Sequence, residues 1–257
     1  MNETNAIINK KILIYGAGKS GISSFNYLKN KNICYLFDDF KTNILKKYKK
    51  NYISQQKLKK SKYDFIILSP GIDINKCLLS KFLKNNLKKI LTELDIFYKF
   101  YPKITTVTVT GTNGKSTTCK LLHDILINHG IDSRLTGNIG NPLLNEKKIT
   151  KNTVFVVEAS SYQLAYAKNF RSKFSLILNI SPDHLERHLT MKKYIQSKLK
   201  CVTNQIQYDV SIIKDNDIIK NILKAKKVKS KIIFLKKNKY LSLKKKIQND
   251  YFKKFIG

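Results

Sequence analysis

A β-branched run, Ile104–Thr110, passes straight into Gly111-Thr112-Asn113-Gly114-Lys115-Ser116. The residues beyond it, Leu121, Leu122, Ile125 and Leu126, are spaced for one face of a helix. Strand, glycine turn, lysine, hydroxyl and helix in that order restrict the chain to an α/β fold with a phosphate cradle at a strand's C-terminal end. Backbone N–H groups and the helix N-terminus would face the anion. Lys115 would reach its β- and γ-phosphates, and Ser116 would offer a hydroxyl to Mg²⁺. Val109 stands where the common GxxxxGK[ST] pattern has its first glycine, so TGTNGKST is a related but distinct loop. An ordinary glycine turn with a solvated lysine is the alternative.

An earlier strand-and-helix cycle occupies the first ninety or so residues. Lys11–Tyr15, Ile33–Phe37, Phe65–Leu68 and Lys88–Leu91 are strand candidates, and Gly18–Asn30 a helix with Ile22, Phe25 and Leu28 on one face. This βαβ pattern predicts a parallel sheet. After the first strand comes Gly16-Ala17-Gly18-Lys19-Ser20-Gly21, a complete GxGxxG, and Asp38 and Asp39 follow the second strand. Read alone, the motif fits NAD or FAD with a ribose-binding acid. A tight strand–helix turn and a different nucleotide remain open. Later strand candidates are Thr153–Val157, Phe174–Ile180, Tyr208–Ile213 and Lys231–Leu235, with Met191–Thr203 as a helix. The boundary between the two cycles falls near residues 92–103, giving units 1–95 and 96–257. No internal repeat is present.

Two further segments sit at strand ends. Glu158 closes an apolar strand and precedes Ala159-Ser160-Ser161-Tyr162-Gln163. It is either a second Mg²⁺-binding acid beside the phosphate loop or a strand-end surface charge. Ser181-Pro182-Asp183-His184-Leu185-Glu186-Arg187-His188 carries two histidines four apart, but without HExxH or a third soft ligand it does not read as a zinc site.

Composition removes several classes. The four cysteines, Cys34, Cys77, Cys119 and Cys201, form no CxxC pair and read as reduced cytosolic thiols. No apolar run approaches the roughly 18 residues of a membrane-spanning helix. The polar amino-terminal stretch lacks a signal-peptide core, so a cytoplasmic protein is expected. Net charge is +33, yet only Arg134, Arg171 and Arg187 of the 50 basic residues are arginine. Base readout and phosphate clamps favour arginine. Lysine accompanied by abundant Asn and Ile reflects A/T-rich codons instead, and no nucleic-acid partner is expected.

Combined, these motifs resemble the Mur ligase family, ATP-dependent amide ligases of peptidoglycan precursor synthesis, and through it of cell-wall, shape and division processes. The resemblance runs from about residue 10 to residue 217. It rests on GAGKSG (16–21), Asp38-Asp39, SPGI (69–72), TGTNGKST (110–117), GNIG (137–140), EASSYQL (158–164) and NISPDHLERH (179–188) followed by Lys198. SPGI with the first glycine loop is most similar to the member that joins D-glutamate to UDP-N-acetylmuramoyl-L-alanine. The resemblance implies a Rossmann-like parallel-sheet domain that holds the uridine nucleotide of the substrate rather than NAD. An incomplete P-loop-type α/β ATPase domain follows it. By the same resemblance Gly111, Thr112, Asn113, Gly114, Lys115, Ser116 and Thr117 would hold ATP. Gly16, Gly18, Lys19, Ser20, Asp38, Asp39, Ser69, Pro70, Gly71, Asn138, Ser160 and Gln163 would contact substrate. Ser116 and Glu158 would bind one Mg²⁺. His184 and Lys198, the latter as its N-carbamate, would serve a second, with Lys115, His184 and Lys198 as the catalytic set.

The resemblance implies three domains, and the expectation is that the third, which receives the incoming amino acid, is absent from this chain. Phe255-Ile256-Gly257 matches the start of a family LxGxHNxxN segment. The expectation is a truncated ligase, inactive alone, with a separately encoded C-terminal half as one possible partner. A non-catalytic nucleotide-binding remnant and a folylpolyglutamate synthase-like ligase are the alternatives.

Overall fold

The computed structural model describes residues 7–40 and 46–236. The tail segment Phe255-Ile256-Gly257 lies outside them. Two parallel sheets organise the chain. The first has the order β2-β1-β3-β4, from β1 (Lys11–Tyr15), β2 (Ile33–Phe37), β3 (Phe65–Leu68) and β4 (Ile90–Leu91). Its helices are α1 (Lys19–Leu28), α2 (Gln55–Lys60), α3 (Ser80–Asn85) and α4 (Glu93–Phe100). The sequence KILIY can be apolar throughout because both faces of a parallel strand are covered. Ile12 and Ile14 enter one core, while Leu13 and Tyr15 enter another on the opposite face.

The second sheet has the order β10-β9-β8-β5-β7-β6. It is built from β5 (Thr105–Thr110), β6 (Ser133–Gly137), β7 (Val154–Glu158), β8 (Phe174–Ile177), β9 (Val210–Lys214) and β10 (Lys231–Leu235). All its pairings are parallel. The helices are α5 (Lys115–Asn128), α6 (Ser161–Ala165), α7 (Leu185–His188), α8 (Met191–Lys198), α9 (Lys200–Thr203) and α10 (Asp217–Ala225). Central β5 therefore delivers its C-terminal loop between β7 and β8, where strand order reverses and ligands gather in such sheets. Among the described residues no helix is long and apolar enough to cross a membrane.

One hydrophobic core runs from Ile12 and Phe25 through Phe97 and Phe155 to Val202 and Ile213, joining both sheets. Helix α4 is its hinge point. Phe97 packs on Phe155 with ring centroids 4.6 Å apart. Thr92 and Asp95 form a capping box at its N-terminus. The free oxygen of Asp95 accepts three successive backbone N–H groups, from Lys168, Asn169 and Phe170, at 2.9, 2.7 and 3.1 Å.

Several expectations are corrected. Lys88–Leu91 contributes only Ile90–Leu91 to the sheet, the preceding residues forming a 3₁₀ turn. Strand β8 stops at Ile177, because the next residues bend over the phosphate loop, and β9 starts at Val210, leaving Tyr208 exposed. The Met191–Thr203 helix breaks at Leu199, where Val202 N–H bonds Leu199 in a tightened turn. In α5 only Cys119 is buried, and Leu121 and Ile125 are 60% and 45% exposed, so the expected apolar face is only half covered. Polar edge strand β6 and amphipathic α10 were not expected.

Candidate functional site

A cleft of 650 Å³ opens where the two sheets meet. Its first wall holds Gly16, Gly18, Lys19, Ser20, Asp38 and Asp39, with Ser69, Pro70 and Gly71 beneath. Asn138 and Gln163 face them from the second sheet. Ser160 is not on this lining. It caps α6, and Gln163 Oε1 in turn accepts the N–H and hydroxyl of Ser160.

The GxGxxG turn is held by its own neighbours. Gly16 adopts φ +99°, and a Cβ there would lie 2.5 Å from that of Ser69. A Cβ on Gly21 would lie 1.9 Å from the Gly16 carbonyl. Ser69 Oγ donates to that same carbonyl at 2.8 Å. Buried Asp38 accepts the N–H of Ala17 at 2.7 Å and of Phe40 at 2.9 Å. Asp39 accepts from the Tyr15 hydroxyl and from Leu78 N–H. Burial, then the Asp39 bond, pushes the Tyr15 phenol far above its ordinary range.

The second glycine loop is built differently. Gly114 is left-handed at φ +82° and forms the N-cap of α5, which has no side-chain cap. The first-turn N–H groups of this 14-residue helix are therefore open to an anion. Three successive carbonyls of the loop are already engaged. Lys198 Nζ donates to Gly111 at 2.7 Å, Lys115 Nζ to Thr112 at 2.8 Å and Asn179 Nδ2 to Asn113 at 2.9 Å. Thr112 Oγ1 bridges Ser181 and the Tyr194 hydroxyl. Beside the loop a second recess of 400 Å³ lies between Asn113, Asn179 and Lys214–Asn216.

Glu158 stands between loop and cleft. Its strand pairs with β5 in register with Val109. The carboxylate is 1% exposed, Oε1 accepts Asn138 Nδ2 at 2.8 Å, and Oε2 has no hydrogen-bond partner. A buried carboxylate oxygen without a donor costs stability unless something positive meets it. That orphan fits a cation, and a hard one such as Mg²⁺ suits its oxygen chemistry.

Lys198 is 2% exposed. Burial, then the charge of Lys115, lowers its amine from 10.5 to about 8, against a partial opposing effect of Asp183. Its ammonium lies 4.6 Å from the Tyr194 ring centroid. His184 is left-handed at φ +53°, flanked by Asp183 at 3.3 Å and Glu186 at 3.7 Å, and packs on Tyr162. Leu189, φ +66°, closes the far end of α7, so strained backbone brackets this turn. The structure does not put His184 and Lys198 in direct contact. Buried His188 is bonded to Ser161 and packed on Tyr194. Its imidazole is lowered by burial first, then by Arg187, His184 and Lys198.

Two residues escaped the sequence. Glu93 is buried on the cleft wall, accepting Ser20 Oγ at 2.6 Å and Leu144 N–H at 3.3 Å, and burial raises its pKa. Its place within the capped start of α4 was the only signal. Arg187, inside a motif already noticed, reaches the turn of Pro70–Ile72.

Comparison with known proteins bears on this geometry. The UDP-N-acetylmuramoylalanine--D-glutamate ligase of Clostridioides difficile (strain 630) is 34% identical over 242 residues, covering 90% of this chain and 53% of that one. The enzyme of that name from Rickettsia bellii (strain RML369-C) is 39% identical over 217 residues, covering 82% and 48%. The chain thus spans about half the length of the curated relatives it matches. The crystal structure of UDP-N-acetylmuramate:L-alanyl-gamma-D-glutamyl-meso-diaminopimelate ligase from Neisseria meningitides shares the fold, with TM-score 0.55 and 14% identity, over 88% of this chain and 78% of that one. The Mur ligase middle domain matches residues 109–256. With that match extending over more than half of its residues, the chain belongs to the Mur ligase family.

Proposed function

We propose that the chain carries the uridine-nucleotide and ATP sites of an ATP-dependent amide ligase. Its reaction joins D-glutamate to UDP-N-acetylmuramoyl-L-alanine in cytoplasmic peptidoglycan precursor synthesis. The observation that carries this reading is Glu158, which bonds a cleft residue through one oxygen and offers a buried, unpartnered oxygen beside the phosphate loop. Residues 1–95 and the facing Asn138 and Gln163 would hold the uridine substrate. Residues 96–257 would hold ATP.

In this scheme the α5 N-terminus and loop 111–117 take the phosphates, and Lys115 exchanges its Thr112 carbonyl for a phosphate oxygen. Ser116 and Glu158 would hold one Mg²⁺, and His184 and Lys198 a second. When bound, such ions withdraw charge from phosphoryl and carboxylate oxygens. The lowered Lys198 amine holds several hundred-fold more free base at neutral pH than an ordinary lysine, by roughly 2.5 logarithmic units. Free amine is the form that adds to CO₂, forming an N–C bond and releasing a proton to leave an anionic carbamate. The alanyl carboxylate would take the γ-phosphoryl group, and the amine of D-glutamate would displace phosphate from that acyl phosphate.

Calorimetry tests the reading. The chain should bind UDP-N-acetylmuramoyl-L-alanine more tightly than NAD, and Glu158→Gln should abolish the Mg²⁺ dependence of ATP binding. Tighter NAD binding, or an unchanged Mg²⁺ response, overturns it. Incorporation of radiolabelled D-glutamate should stay more than about tenfold below a full-length relative, roughly 1.4 kcal/mol of barrier, until a C-terminal half is added.

A further inference from the structure

Arginine is scarce here, three residues among 50 basic ones. Two meet acids. Arg171 holds buried Asp209 with paired bonds of 2.7 Å, and Arg134 reaches Asp132 and Glu146. Arg187 also holds backbone. From α7, beside the second sheet, it crosses to the turn after β3. Nη2 donates to Pro70 at 3.2 Å and to Ile72, and Nη1 to Gly71 at 3.4 Å. Nε lies 3.9 Å from Asp73. The guanidinium carbon stands 4.9 Å from the Tyr162 ring centroid, and that ring packs on His184 at 4.8 Å. One planar group thus joins the floor of the cleft to the loop that bears His184.

We infer that Arg187 is a positioning residue that shapes the uridine-nucleotide end of the cleft from the phosphate-loop side of the molecule, an assignment that rests on the function proposed above. A trans peptide points its N–H opposite its C=O. Holding the carbonyls of Pro70 and Ile72 therefore turns the N–H groups of Gly71 and Asp73 away from the guanidinium. Both residues line the cleft. Released carbonyls are free to turn toward a diphosphate and repel it. Lysine is no substitute, because a point charge on a flexible stem cannot hold several carbonyls in one plane.

The experiment compares the chain with Arg187→Met, Arg187→Lys and, as a control, Arg134→Lys. Hydrogen exchange of residues 69–73 is measured without ligand. Calorimetry follows with UDP-N-acetylmuramoyl-L-alanine and, separately, Mg²⁺–AMP-PNP. Both Arg187 variants should speed exchange in 69–73 and weaken the uridine compound roughly tenfold, with Mg²⁺–AMP-PNP within about twofold. Arg134→Lys should change neither. Arg187→Lys matching the parent chain, or Arg187→Met leaving exchange unchanged, overturns the assignment. If Arg187→Met does not fold, Arg187→Lys, which keeps charge and stem, decides alone. If the parent chain binds no uridine compound, the functional reading fails, and the exchange measurement still judges the clamp.

Discussion

Two glycine loops at strand ends look alike in one dimension and are held in place differently in three. In GAGKSG the glycines let the chain pack on itself, with Gly21 against the Gly16 carbonyl, Ser69 beneath and Asp38 taking the Ala17 N–H. The turn's anion is a side chain of the protein. In TGTNGKST the nearest atom to a Cβ on Gly114 is 3.6 Å away, so that glycine serves conformation, not space. The loop's carbonyls are tied back by Lys198, Lys115 and Asn179, while its helix N-terminus, like that of α1, has no side-chain cap. A glycine pattern therefore specifies a bend. What holds the bend in place, the protein's own side chains beneath it or ties on its carbonyls, differs between the two.

Substitution at these glycines gives the largest contrast. Gly21→Ala forces backbone apart and should cost about 4 kcal/mol of stability. Gly114→Ala should cost about 1 kcal/mol, the penalty of a left-handed residue with room around it. Urea titrations read both, and equal costs would erase the distinction between a packed and an open loop.

Lys198 sharpens the contrast next, because a cation buried under the second loop has no counterpart under the first. The folded pKa lies at about 8 and the ordinary value is 10.5, so between these the unfolded chain binds more protons. The contribution of Lys198 to stability should rise with pH through that window, by about 3 kcal/mol in all, with no slope from it below. The buried thiols of Cys34, Cys119 and Cys201, raised to about 12, act the other way above their ordinary 9.0. Lys198→Met should flatten the rise and stabilise the chain at neutral pH. Denaturation across pH 7 to 11 in CO₂-free buffer, on the order of one pH unit per step, checks the sign. A parent chain whose stability relative to Lys198→Met falls over that window contradicts it.

The third test separates loop from field. Lys115→Ala should weaken Mg²⁺–ATP about thirtyfold, near 2 kcal/mol, whereas Lys19→Ala in the first loop and Lys59→Ala on the outside of α2 should change it little. Similar losses from all three would mean that net charge, not geometry, captures the nucleotide. Lys115→Ala should also raise the Lys198 pKa, since Lys115 is the second cause of its depression.

Strands whose cores are continuous apolar runs were legible, because both sheet faces are buried. KILIY and FIIL appear where their composition puts them. Edge strand β6, reading SRLTG, was not, since its stability comes from pairing with β7. The loops were visible through their glycines, but not which N–H groups were taken, since Asp38 acts across 21 positions. Lys198 has the composition of every other lysine and becomes distinct only through burial. Glu93 and Arg187 matter through contacts that span the two sheets, and no local pattern encodes those.

Asp95 has a consequence for the order in which the chain is made. Its carboxylate caps α4 on one side and, on the other, receives N–H groups 73 to 75 residues further along. A ribosome delivers the acceptor long before the donors. Until residues 168–170 emerge, α4 offers a carboxylate oxygen still bound to water and an aromatic side chain, Phe97, still lacking Phe155. The seam between the sheets therefore cannot set before residue 170 has emerged, and a pause in translation before residue 168 leaves it open.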